Sequence, residues 1–184
     1  EHSIAANFLY LANGVESDEK TVDVMDSSLT LYAEHGYNAS TFACRVTVAT
    51  LSDIYSGIVT GIGTLKGPLH GGANEEAMKM ILEIGEPSNA EGGLRDALAT
   101  KKKIMGFGHR EYKKGDSRAM HLTRVAKELG TLKGNTKFGD IADILEKIMR
   151  DEKNIFPNVD FPAAYAYYLL GIPIDLYTPI FVIA

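Results

Sequence analysis

The residues best placed to do chemistry are histidines held among glycines. His70 stands in "LKGPLHGGANEEA" (65–77), between a Gly-Pro turn and a Gly-Gly pair, just ahead of a helical pattern. His109 stands in "GFGHREY" and His35 in "AEHGYNAST", each in a connection between helical segments. Glycine lets the backbone approach a ligand closely, and loops on rigid helices are favoured sites of function. Imidazole can give or take a proton near neutral pH, so each is a candidate for function, although a single histidine is more often structural. His121 falls inside an amphipathic pattern and reads as structural; His2 lies at the chain's start and carries no signal.

Two acidic residues differ from the solvated ones. Asp160 lies in "FPNVDFPAA", between apolar neighbours and just before a proline-started helix, as a helix cap or a functional carboxylate. Asp116 reads as a cap, and Arg118, two residues on, either grips a carboxylate at a helix start or is a solvated charge. The run Lys101–Lys103 reads as a solvated helix end. Cys44, in "STFACRVTVATL", reads as a small core residue rather than a nucleophile.

Several chemistries fail on pattern. Gly61, Gly63 and Gly67 do not form a dinucleotide fingerprint, no Walker lysine precedes a Ser or Thr, and no histidine pair has zinc-protease spacing. A zinc site assembled from His35, His70, His109 and Asp160 stays open as a competing reading. The net charge of −5 excludes an overall basic field for nucleic acid. Local lysines at 101–103 and 113–114 leave room for a small anionic ligand. One cysteine forbids an internal disulfide, and no apolar run is long enough for a bilayer span. A cytoplasmic setting is expected. The chain starts without Met and stops in the apolar run "YTPIFVIA", so a piece of a longer protein is expected.

The elements that must position these groups are helical. Ser17, Asp18 and Glu19 start a helix over 17–34 with Val22, Met25, Leu29 and Tyr32 on one face and Gly36 as its stop. Residues 39–60 lack proline and read as one buried helix whose alanines, serines and Gly57 allow close packing. Asn74 caps a helix with Ala77, Met80, Ile81 and Ile84 inward; "SNAE" (88–91) has capping-box spacing ahead of the next. Asp116 starts a helix with Ala119, Leu122, Ala126 and Leu129 inward and Gly130 as its end. Ile141, Ile144, Leu145 and Ile148 mark another, and Pro162 opens "PAAYAYYLLG", closed by Gly171. Only "KIMGF" (103–107) reads as a short strand. The fold class is all-α.

The segments "LKGPLHGGANEEA", "KIMGFGHREYKKGDSRA", "FPNVDF" and "AEHGYNAST", in family order, resemble the citrate synthase family over essentially the whole chain. The resemblance implies a citrate-synthase-like helical fold: part of a large domain over 1–70, a small domain over 71–165, and a return to the large domain over 166–184. It implies an acyltransferase that condenses acetyl-CoA with oxaloacetate, usually as a homodimer. It implies no permanently bound cofactor or metal, with coenzyme A entering as substrate and leaving as product. Residue by residue, it makes His70 the donor to the thioester carbonyl, Asp160 the base at the acetyl methyl and His109 the polariser of the ketone. His35 and Arg118 would bind oxaloacetate, and Lys113, Phe107 and Gly108 would receive coenzyme A. Near a helix start, His70 is expected to be a neutral donor. Ser117 stands where the family commonly has proline, and "DFPAA" departs from the frequent "DFYSG", which leaves a 2-methylcitrate synthase open. The family's further oxaloacetate-gripping arginines have no match in this chain, so it is expected to be weakly active or inactive by itself. A helical fragment without catalysis is the reading from a different class.

Overall fold

The computed structural model describes residues 3–33 and 35–184; His2 lies outside them. The helices are α1 (Ile4–Asn13), α2 (Glu19–Tyr32), α3 (Ala39–Ala49), α4 (Ile54–Leu65), α5 (Ala73–Ile84), α6 (Pro87–Ala99), α7 (Ser117–Leu132), α8 (Lys137–Lys153), α9 (Asp160–Leu169) and α10 (Tyr177–Ile183). The all-α expectation holds. "KIMGF" is no strand: it is an irregular connector that turns at Met105 and Gly106 and whose one bridge pairs Phe107 with Pro157.

The core forms where the apolar stripes predict it. Leu122, Ala126 and Leu129 of α7, Ile141 and Leu145 of α8 and Met25 of α2 are fully or almost fully buried. They surround α9, whose Ala163 to Tyr167 are buried on every face. A helix buried over all of its middle turn is a rigid mount, and Asp160 is its first residue.

Several boundaries differ from expectation, each for a local reason. Residues 39–60 break into two helices, because Leu51 takes a left-handed φ of 63° and the Asp53 side chain accepts from the Ser56 N–H to start α4. "SNAE" lies inside α6, which starts earlier at Pro87. Gly130 does not end α7: a Cβ there would meet the Asn135 carbonyl at 2.8 Å, so glycine lets the following loop fold back against a helix that runs on to Leu132. Gly72, not Asn74, precedes α5; Asn74 is buried in the first turn and its Oδ1 accepts from the Glu75 N–H.

The largest correction concerns α3 and α4. They pack closely on each other: Cβ atoms at Gly57 and Gly61 would meet Val48 at 2.9 Å and Cys44 at 2.5 Å, and the Cys44 thiol donates to the Gly57 carbonyl. Yet neither helix contributes to the main apolar cluster, and Phe42, Ile54, Tyr55 and Val59 stand exposed. The hairpin is apolar without being buried, and Cys44 is half-buried rather than in the core. No helix among the described residues is long and apolar enough to cross a membrane.

Candidate active site

A cleft of about 1050 Å³ opens between the α3–α4 hairpin, the 104–111 connector and the start of α9. Its walls carry His35, His70, His109, Arg118 and Asp160. Five residues separated by up to 125 positions are thus brought to one space. Phe107 and Gly108 also line it. Lys113 is not among the lining residues; its ammonium donates to the His109 carbonyl at 3.0 Å instead. His121 sits on the exposed side of α7.

His70 is held by α3 rather than by its own helix. The Ser40 backbone N–H, in the first turn of α3, donates to His70 Nε2 at 3.2 Å, with the Ser40 hydroxyl 2.9 Å away. A backbone N–H can only donate, so Nε2 carries the lone pair and the proton sits on Nδ1. Burial, and then the nearby His35, push the His70 imidazole below its ordinary pKa. His70 Nδ1–H is left as the donor by a bond from the first turn of α3, not by the start of α5. Asn38 caps α3 by accepting from the Thr41 N–H, so "NAS" sets the Ser40 backbone donor in place; the one Ser40 hydroxyl proton turns to Asn38 Oδ1 or to His70 Nε2.

His109 has the opposite polarity. Its Nδ1 accepts from the Glu111 and Tyr112 N–H groups at 3.1 and 3.3 Å, which leaves Nε2–H as the donor. Burial first, then His35, hold its pKa down. His35 packs edge-to-face on His109, ring centroids 4.9 Å apart, and its Nδ1 lies 3.1 Å from the Tyr112 hydroxyl.

Asp160 is not a cap. Its backbone N–H donates to Asn158 Oδ1, and its carboxyl faces the Tyr32 hydroxyl, which donates to Oδ1 across a long 3.4 Å. Burial pushes its pKa up to about 7 against the opposing pull of Arg118 and Tyr32. Arg118 is fixed from behind by Asp116: Nε reaches Oδ1 at 3.0 Å and Nη2 reaches Oδ2 at 2.8 Å. The same carboxylate accepts from the Val159 N–H, one residue before Asp160. Asp116 is therefore the cap that sequence predicts and a hub that it does not.

The connector is clamped to the α9 approach. Gly108 N–H donates to the Phe156 carbonyl, Asn158 N–H to the Gly106 carbonyl, and Asn158 Nδ2 to the Gly108 carbonyl. Gly106 has φ 80°, and a Cβ on it would meet Phe161 Cβ at 2.8 Å, so only glycine lets the connector lie against α9 here. Among the described residues no group of three or more His, Cys, Asp or Glu is placed to hold a metal ion, so the four-residue zinc arrangement does not assemble.

The family model described as "Citrate synthase, C-terminal domain" matches residues 1–184. The chain is 54% identical over its whole length to "Citrate synthase 2" of Bacillus subtilis, covering 50% of that protein. It is 49% identical over 98% of its length to "2-methylcitrate synthase" of Mycobacterium tuberculosis, covering 46% of it. Its backbone follows that of citrate synthase from Thermoplasma acidophilum, solved as a ternary complex with carboxymethyl coenzyme A and oxaloacetate, with a TM-score of 0.91. That match has 39% identity and covers 98% of this chain and 49% of the other. The chain thus spans about half the length of the curated relatives it matches.

Proposed function

We propose, on the premise that the chain belongs to the citrate synthase family, that its cleft condenses a short acyl-CoA with oxaloacetate. The observation that carries this reading is the set of complementary proton positions in one cleft: a carboxyl titrating at about 7, an imidazole with its proton on Nδ1 and another with its proton on Nε2. A thioester α-proton is too weakly acidic for a carboxylate alone, so base and oxygen donor must act together. Asp160 takes a proton from the acyl α-carbon while His70 Nδ1–H donates to the thioester oxygen. The enol carbon forms a bond to the ketone carbon of oxaloacetate, whose oxygen, polarised by His109 Nε2–H, takes up one proton in exchange for the one Asp160 removed, so that the condensation is proton-neutral. Arg118 and His35 hold the carboxylates. Water then cleaves the thioester, giving the tricarboxylate and free coenzyme A thiol. A base near pKa 7 is about half ionised at neutral pH and stronger than an ordinary carboxylate.

Thiol release by the full-length natural chain, supplied with oxaloacetate and either acetyl- or propionyl-CoA, tests this. Acetyl-CoA is expected to be favoured by about tenfold or more, the range over which one methylene discriminates. The reverse preference would support 2-methylcitrate synthesis, favoured by the mycobacterial relative's name; no thiol release with either would refute the condensation reading. His109→Gln should depress condensation more than exchange of the acyl α-protons with solvent.

A second copy of the chain is the proposed cover for α3 and α4. Phe42, Tyr55 and Val59 are 60%, 77% and 69% exposed on a hairpin with little charge, an apolar surface that water disfavours. Phe42→Asp with Val59→Asp is expected to convert a dimer of the full-length chain to monomer in sedimentation velocity. An unchanged mass would remove this assignment.

A further inference from the structure

Tyr112 takes no part in the reaction as derived, yet its side chain touches three of the groups given to the keto acid. Its ring stacks on His109, centroids 4.5 Å apart and planes within 24°. The Arg118 guanidinium lies over the same ring at 5.3 Å, a cation–π distance. Its hydroxyl is 3.1 Å from His35 Nδ1. One half-buried phenol therefore braces an imidazole and an arginine of its own segment and a second imidazole, His35, from far earlier in the chain.

We propose that Tyr112 is a positioning residue for the keto-acid subsite: it donates its hydroxyl proton to His35 Nδ1 and so holds His35 as the Nε2–H tautomer. The inference rests on the condensation reading for its substrate, but not for its geometry. The physical reason lies in the ligand. A 2-keto dicarboxylate presents only acceptor oxygens. An imidazole that turned a lone pair toward it would repel it; one that turns an N–H attracts it. His109 is already fixed as Nε2–H by two backbone donors. Tyr112 imposes the same tautomer on His35, which has no such backbone donor among its described bonds. With Arg118, whose Nε and Nη2 are turned back to Asp116, the subsite becomes a set of donors without acceptors. Stacking on His109 meanwhile keeps that ring from rotating away from its backbone donors.

Tyr112→Phe keeps the stacked ring and removes only the hydroxyl. In the full-length chain labelled with ¹⁵N-histidine and free of ligand, long-range proton–nitrogen correlation is expected to show wild-type His35 protonated at Nε2. The variant is expected to show a mixed or Nδ1-protonated ring, with His109 unchanged. KM for oxaloacetate is expected to rise about tenfold, the worth of one net hydrogen bond, with KM for acyl-CoA and kcat within about twofold. A His35 tautomer identical in wild type and variant would overturn the proposal, as would an Nδ1-protonated wild-type ring or an unchanged oxaloacetate KM. Tyr112→Leu, which also removes the stack, should disturb His109 as well; His109 signals unmoved in that variant would overturn the bracing role. If the wild-type enzyme does not turn over oxaloacetate at all, the condensation reading fails, while the ligand-free tautomer measurement still decides the role of Tyr112.

Discussion

Asp160→Asn in the full-length natural chain is expected to slow exchange of acyl α-protons with solvent by about 10³-fold, within the range that general base catalysis supplies, with little change in oxaloacetate affinity. Asparagine keeps the shape and cannot take a proton. Its neighbours do not depend on the charge: Arg118 is held by Asp116, and Asn158 bonds the backbone of residue 160 rather than its side chain. Exchange followed by proton NMR in deuterated buffer reads the first effect, and equilibrium titration with oxaloacetate the second. Exchange at the wild-type rate would remove Asp160 as the base. The same substitution should stabilise the fold, by an amount that depends on pH. Asp160 titrates at about 7 when folded and at about 3.9 when unfolded. Between those values the native state binds more protons, so wild-type stability falls as pH rises from about 4 to about 7 and is level above that. Asparagine lacks this slope. The advantage of the variant in urea unfolding should therefore widen from about pH 4 to about pH 7 and then stay constant; a constant difference across that window would show that Asp160 is not shifted.

That trade between stability and a poised base explains which parts of the site are legible in sequence. Glycine-flanked histidines and an aspartate between apolar residues are chemical anomalies, and anomalies stand out: His35, His70, His109 and Asp160 do line one cleft. The parts that hold them look ordinary. Ser40 is one serine in a Ser/Thr-rich helix start, and nothing local says that its N–H meets an imidazole 30 positions away. Tyr32 reads as the last apolar position of a stripe, though its hydroxyl faces Asp160 across 128 positions. Lys113 shows the reverse: its charge suggests an anion, while its ammonium bonds a carbonyl four residues back and is exposed outside the cleft lining. The α3–α4 hairpin shows the limit of hydrophobicity as a guide, since an apolar helix with small residues looks alike whether its own chain or another covers it. Periodicity served best where one face alone is buried, as in α7 and α8, and served least at ends decided by a backbone contact, as at Gly130 and Gly72.

Asp116→Ala is expected to destabilise the protein by about 3–5 kcal/mol at neutral pH, the cost of leaving one member of a buried ion pair alone. The Asp116 side chain is 1% exposed and that of Arg118 16%, so solvent cannot replace what is lost. Four bonds end on this carboxylate: from the Arg118 N–H, Nε and Nη2, and from the Val159 N–H. They are shared by one group and do not add, which keeps the expected loss near that of the pair itself. Asp116→Asn should lose less, because an amide oxygen still caps α7, though it cannot answer the guanidinium charge. The pH dependence runs opposite to that of Asp160. Burial alone would push the Asp116 carboxyl up, but the hydrogen bonds and charge of Arg118 outweigh it and hold it below the ordinary range. Its contribution is therefore complete above about pH 4, where the unfolded group is ionised, and is lost as acid protonates the folded one. The gap between wild type and alanine variant should close in acid. Since Val159 precedes Asp160 and Arg118 lines the cleft, the proposed roles predict that the variant also loses oxaloacetate affinity and proton exchange together, whereas Asp160→Asn loses exchange alone. A loss under about 1 kcal/mol, the size of an exposed pair, or wild-type exchange in a folded Asp116→Ala chain, would show that the two sides of the cleft are positioned without it.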